Sequence, residues 1–523
     1  MIKTDRRGFV AGLASAALTS TASAQGTGAP SAGSPPPVSP SQPRFKFEEV
    51  ARRARDLSTA PLAPSPALPD ALTRLDANVA QKIRFRPERS LLKGSRFRLQ
   101  VMHLDSAHAR PVTVNVIRDG IATPIPYSAA LFDYGAAKFE KPLPLNLGFA
   151  GLRLQFQLND PSRFDEVATM TGSSEFKMLG RGQRAGAMLR AISVNAGRDA
   201  EEFPFFREFW VETPASGADH AIVYALLDGD SVTGAFRFVI RPGENSEMSV
   251  EAVLYPRRIG GVLGIAPITT MFFSGENDPR ATNDFHPEIH DSDGLSILTG
   301  SGERIWRPLR NPPRTQTFAF LDANIRGFGL MQRDRSFDHY QDLDLAYEKR
   351  PSYWVEPQGD WGDGRVELTE SRANDAGDKN IQAAWVSKGD REPGQPIKLA
   401  YRVSARVSEA GGVSVGRVVD TLRAPISIND ADGQANANTR RFMIDFAGGD
   451  LEYYALDPSQ VEIVASAAPG QATAVSLAAN PHIKGLRAIV DVSAPTAQMI
   501  DIRVFLRARG RALTETWTLP WGG

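Results

Sequence analysis

The 523-residue chain contains no cysteine. Disulfide staples, thiolate nucleophiles and cysteine-ligated zinc are excluded at once, so its stability rests on packed cores. A surplus of charge is also missing, because Lys+Arg and Asp+Glu number 60 each. Without a basic excess nothing draws in a phosphate backbone, and nucleic acid is not an expected partner. No stretch approaches the roughly 18 uninterrupted apolar residues of a spanning helix, so no membrane span is expected. Heptads and fixed-period repeats are absent too, which removes coiled coils and solenoids.

What remains is the composition of a soluble protein, with 42% hydrophobic and 23% charged residues. The length exceeds one ordinary core, so two or more domains are expected. At the N-terminus, Asp5-Arg6-Arg7-Gly8-Phe9-Val10 places paired arginines before a mildly apolar Ala/Gly/Leu stretch, and Ala22-Ser23-Ala24 offers small residues for cleavage. Residues 1–24 thus read as a twin-arginine signal peptide directing the chain to the periplasm. Its removal takes away Lys3, Arg6, Arg7 and Asp5, leaving the mature chain near −2. Residues 25–42, with Pro35-Pro36-Pro37, form a Gly/Ser/Pro linker that cannot pack a core. Phe47, Val50, Ala51, Ala54 and Leu57 then recur at helical spacing. The basic residues of that helix, Arg52, Arg53 and Arg55, read as a solvated face rather than a membrane contact.

The rest reads as strand. Arg96–Val101, Thr113–Ile117, Arg153–Leu158 and Ala235–Ile240 alternate, and Gly, Pro, Asn and Asp close such runs. Short alternating runs with frequent turn signals predict stacked antiparallel sheets. Residues 389–397 are polar and rich in breakers, which predicts a boundary between domains at 43–388 and 398–523. Beyond it, Arg441–Phe446, Ile502–Leu506 and Glu515–Leu519 are further strand runs, of a size and pattern that suit an immunoglobulin-like sandwich.

A collinear series of blocks carries a family resemblance. It includes Leu131-Phe132-Asp133-Tyr134-Gly135, Glu201-Glu202-Phe203-Pro204, Gly264-Ile265-Ala266-Pro267, His290-Asp291-Ser292-Asp293-Gly294-Leu295, Trp306-Arg307-Pro308-Leu309 and Gly359-Asp360-Trp361-Gly362. From about Phe45 to Trp521 the chain resembles the periplasmic glucans biosynthesis G/D family, and its twin-arginine signal looks like the D branch. The resemblance implies an all-β chain. A large N-terminal sandwich of the galactose-mutarotase type is joined to a smaller immunoglobulin-like C-terminal one. It also implies a role in building osmoregulated periplasmic glucans, by chemistry like that of inverting hydrolases on β-1,2-glucan.

A neutral glucan calls for aromatic platforms and carboxylates rather than a basic groove. Residues 272–363 are dense in both, so the larger domain is expected to hold the cleft. Trp306, Tyr347, Trp354 and Trp361 are candidate platforms, with Asp293, Arg350 and Asp360 as polar substrate-binding partners. Each tryptophan has an alternative place in a core. Inverting hydrolysis needs two carboxyl groups whose environments push their pKa values apart. Asp291, in a polar cluster ending in glycine, resembles one catalytic residue of the family. The family's second acid lies in an Asp-Asn-Ile element, where this chain reads Lys379-Asn380-Ile381. A one-residue slip of that loop would bring in Asp378, and Asp378 is the candidate second acid. Without it hydrolysis is lost or changed to glycosyl transfer (a transglycosylase), and the chain binds or shapes glucan without cleaving it, as a factor for the inner-membrane glucan synthase. His286 and His290, four apart with acids between them, raise the question of a metal, but Pro287 disfavours the helix that would align them. No metal and no cofactor is expected.

Overall fold

A computed structural model describes residues 44–258, 260–280, 284–389, 392–408, 415–426, 438–495 and 498–522. The signal at 1–24 and the linker at 25–42 lie outside the described residues. The alternating runs form the strands Phe97–Met102, Thr113–Arg118, Gly151–Phe156 and Val232–Arg241. Side chains alternate faces along a strand, so Phe97, Leu99 and Val101 share one buried face.

Two sheets stack to make the first sandwich. A ten-stranded sheet includes Phe97–Met102, Glu175–Met178, Leu263–Thr270, Ile381–Ser387 and Asp363–Glu370. A fifteen-stranded sheet includes Val232–Arg241, Ser246–Pro256, Ser352–Pro357, Gly294–Leu298 and Arg304–Pro308. Their inner faces supply one continuous core, in which Phe176 of the first sheet meets Phe238 of the second at 5.3 Å between ring centroids.

The helix Phe47–Ser58 lies on the outer face of the larger sheet, with Val50 and Ala54 buried against Trp210, Tyr224 and Leu226. Arg53 pairs with Glu208 at 2.8 Å, and Arg52 and Arg55 are exposed. Among the described residues no helix is long and apolar enough to cross a membrane.

The described residues of the breaker-rich segment, 389 and 392–396, lead into a strand of the first sandwich. The strand after it, Ile397–Arg406, pairs with Ser246–Pro256 on one side and Ser352–Pro357 on the other. Turn residues mark a surface loop whether or not a domain ends there, and the partners of this strand lie far earlier in the chain. The second sandwich follows Arg406. Its four-stranded sheet holds Arg417–Ala424, Thr439–Ala447, Gly485–Ser493 and Gln471–Asn480. Opposite lie Glu462–Ala468, Met499–Ala508 and Thr516–Gly522, with Phe442 and Trp517 in contact at 5.6 Å.

Those last three strands extend the fifteen-stranded sheet, because Ile305 and Trp306 pair in parallel with Thr516 and Trp517. Arg333 seals the junction. Its guanidinium lies 3.5 Å from the Trp306 ring centroid and donates to both Glu515 carboxylate oxygens at 2.6 and 3.0 Å. Glu515 also accepts the Val418 N–H at 2.7 Å. Both charged side chains are buried, and removing one member of such a pair costs about 3–5 kcal/mol. Glu515→Ala is expected to lower the unfolding free energy by that amount in urea titrations. A paired Arg333→Met/Glu515→Leu exchange is expected to recover much of the loss.

Candidate functional site

The segment from Ile289 to Gly294 leads from a separate two-stranded sheet into the fifteen-stranded one. Ile289–His290 pairs with Phe272–Ser274, and Gly294 opens the strand Gly294–Leu298. The Asp291 N–H donates to Met271 O at 2.9 Å, and the hydroxyls of Ser292 and Thr270 bond at 2.9 Å. These bonds fix the loop and leave the buried Asp291 carboxylate facing two cations. Arg350 Nε is 3.4 Å from its Oδ1, and Lys379 Nζ is 3.9 Å from its Oδ2. Lys379 Nζ also donates to Gly186 O at 2.7 Å. Glycine is required at 186, since a Cβ there would sit 2.8 Å from Arg350 Cδ and 3.0 Å from Asp291 Cγ.

The loop before Ile381 is not slipped. Asn380 is buried, and its Oδ1 accepts the Phe272 N–H at 2.9 Å while its Nδ2 donates to Phe272 O and Ser371 O at 3.0 Å each. That bonding locks the register and gives Lys379 the position beside Asp291. Asp378 instead accepts the Asn374 N–H at 2.8 Å within its own loop.

The other candidates fall into distinct places. Asp293 is turned inward, where both its oxygens accept the Arg333 N–H and Oδ2 accepts the Asp334 N–H, all at 3.0 Å. Burial raises its pKa, against the pull of His290 and those amides. Tyr347 is buried with Met271, Ile289 and Tyr340, its ring 5.1 Å from the Arg350 guanidinium carbon. It supports Arg350 rather than facing a groove.

The three tryptophans fill cores, which corrects their reading as sugar platforms. Trp306 and Trp354 belong to the second core, and Trp361 to the first beside Trp385 and Tyr401. The rings of Trp306 and Trp354 occupy space that a neighbouring glycine leaves open, Gly294 for Trp306 and Gly327 for Trp354. Asp360 is exposed and accepts the Gly362 N–H in a turn. That turn follows the strand Ser352–Pro357, which starts beside the site and runs away from it at about 3.3 Å per residue. Asp360 therefore lies outside the Asp291 cluster.

Two rings that the sequence reading passed over are open. Phe203 is 53% exposed, with the Arg190 guanidinium 4.9 Å from its centroid. It lines a cleft of about 190 Å³ with Arg190, Glu201, Asn380 and Lys379. Phe285 is 70% exposed and stacks on His286 at 3.9 Å. The signal for both was an aromatic residue set among acids in a turn-rich segment. A larger cavity, about 740 Å³, lies under the helix Phe47–Ser58 and shares no residue with the Asp291 cluster.

The geometry defines a two-sandwich β protein with a small cleft of neutralised charge. Residues 45–521 match the family described as "Periplasmic glucan biosynthesis protein, MdoG". A probable glucans biosynthesis protein D of Shewanella oneidensis is 40% identical over 490 residues, covering 92% of this chain and 89% of the relative. A glucans biosynthesis protein D of Xanthomonas campestris pv. campestris is 40% identical over 486 residues, 91% of this chain and 90% of the relative. A glucans biosynthesis protein G of Ralstonia nicotianae is 38% identical over 486 residues, 91% of this chain and 96% of the relative. The chain belongs to the periplasmic glucan biosynthesis family.

Burial lowers the Lys379 pKa, and the Asp291 charge opposes that shift only in part. A lysine whose folded pKa lies below its unfolded value holds fewer protons folded than unfolded between the two values. Stability then rises with pH across that window. Thermal melts of the wild type and Lys379→Met from neutral pH toward pH 10.5 are expected to show the wild type gaining on the variant as pH increases.

Proposed function

We propose that this chain acts in the periplasm, after twin-arginine export, as a factor that holds the β-1,2-linked backbone during glucan assembly, without the paired-carboxylate hydrolysis of inverting enzymes. The observation that carries this reading is Lys379 Nζ at 3.9 Å from Asp291, with the Asp378 carboxylate bonded to its own loop. Inverting hydrolysis needs a protonated acid on one side of the bond and a carboxylate activating water on the other, roughly 6.5–9.5 Å apart. Lys379 and Arg350 instead neutralise Asp291 by direct approach. A glucan assembled at the inner membrane needs a partner that receives it, and the membrane glucan synthase is the partner this reading implies.

A second reading keeps turnover. In it Asp291 is one member of the acid–base pair, with its partner on the far side of the bond.

Linear β-1,2-glucan incubated with the mature protein separates the two. Binding without shorter or cyclised products is the expected result. Lys379→Asp is expected to gain cleavage, and adding Asp291→Asn to it to abolish that gain. Products from the wild type that vanish in Asp291→Asn support turnover, and products that also vanish in Asp378→Asn place the second acid at Asp378.

Phe203 presents one free face beside Lys379, suited to the C–H face of a sugar. Aromatic contacts contribute about 1 kcal/mol, so Phe203→Ala is expected to weaken glucan binding roughly fivefold in calorimetric titrations.

A further inference from the structure

A second group of side chains lies one residue from Asp291 and takes no part in the reading above. Glu276, Glu288 and His290 bring one ligand atom each to within 4.8 Å of one another. His290 is fully buried. Its Nδ1 is 2.9 Å from Gln332 Oε1, and Gln332 Nε2 faces His290 O, Tyr347 O and the Tyr340 hydroxyl. The amide nitrogen must face those carbonyls, so the amide oxygen must face Nδ1, and Nδ1 carries the hydrogen. Nε2 faces Glu288 Oε2, 2.9 Å away, and either a proton or a cation must lie between them.

Two electron-rich atoms at that distance need something positive between them. Among the described residues no arginine or lysine forms an ion pair with Glu276 or Glu288. From the second sandwich Asp420 adds a buried Oδ1 with no hydrogen-bond partner. A proton shared between two groups satisfies one contact. A divalent ion satisfies all of them. With bonds of about 2.1 Å its neighbouring ligands lie about 3.0–3.4 Å apart, close to the spacing of Nε2 and Oε2.

We propose that Glu276, Glu288 and His290 hold a divalent first-row transition-metal ion at the junction of the two sandwiches. The imidazole favours Zn²⁺ over Ca²⁺ or Mg²⁺, and the carboxylates also suit Mn²⁺. The Gln332 bond to Nδ1 is the outer-shell contact that orients a ligating histidine. This site is distinct from the His286 and His290 pair raised by the sequence, because His286 bonds to Asp284 and Asp342 instead. A bound ion would fix His290 and hence the backbone that presents Asp291.

The test uses the mature chain stripped with EDTA and titrated with Zn²⁺ and with Mn²⁺, without glucan, so it is independent of the carbohydrate reading. About one ion per chain by calorimetry, with a rise in melting temperature, is expected. Glu276→Gln mimics a protonated acid and keeps the fold if a shared proton is the native state. It is expected to lose both the stoichiometric ion and the thermal rise. His339→Ala removes an exposed histidine of a neighbouring group, Glu288, Asp334 and His339, and is expected to retain both. The proposal is overturned if the stripped chain takes up neither ion stoichiometrically, if Glu276→Gln binds as the wild type does, or if His339→Ala abolishes binding.

Discussion

The carboxamide of Asn380 is buried and bonded only to backbone, to both polar groups of Phe272 and to Ser371 O. Two strand ends are thereby clamped together. Phe272 opens the strand that pairs with Ile289–His290, and Ile381 opens the strand that pairs with Leu263–Thr270. With Asn380 directed into the protein, its neighbour Lys379 must leave on the other side, toward Gly186 and Asp291. The identity of residue 379 therefore sets the charge of the cleft, and the fold offers Asp378 no route to replace it.

The same clamp passes its order to the buried polar chain behind the cleft. Phe272 stacks on His290 at 5.5 Å, and His290 bonds to Glu288 and Gln332. Gln332 in turn takes its backbone position from Ser352, whose hydroxyl accepts the Gln332 N–H at 3.0 Å. Buried polar networks of this kind hold a unique arrangement only when each member is satisfied, and the contact between His290 and Glu288 is the link that needs a proton or an ion.

Much of the fold was legible because strands announce themselves locally. Thr113–Ile117 and Arg441–Phe446 alternate, and alternation is a property of a few adjacent residues. Partnership is not local. The strand Ile397–Arg406 reads identically whether it opens a second domain or closes the first, and only Ser246–Pro256 and Ser352–Pro357 decide. The tryptophans failed as site markers for a related reason. Trp306 and Trp354 look like platforms until Gly294 and Gly327 show where their rings rest. The polar loop singles out Asp291 as a candidate. That its partners are Arg350 and Lys379 depends on three chain segments meeting, and the ungapped Lys379-Asn380-Ile381 alignment carried only part of that.

The sheet that passes from one sandwich to the other has a mechanical consequence. Its junction combines ladder pairing at Trp306 and Trp517 with Arg503–Glu303 at 2.6 Å and the Arg310 bond to Pro520 O at 2.8 Å. Hinge closure between the two sandwiches would tear that ladder and strand Arg333 and Glu515 away from each other. Any ligand reaching Asp291 would therefore pass side chains and short loops over a frame that does not hinge at this junction. Selection among ligands would then fall to the rim of the cleft, where the Phe203 ring is exposed.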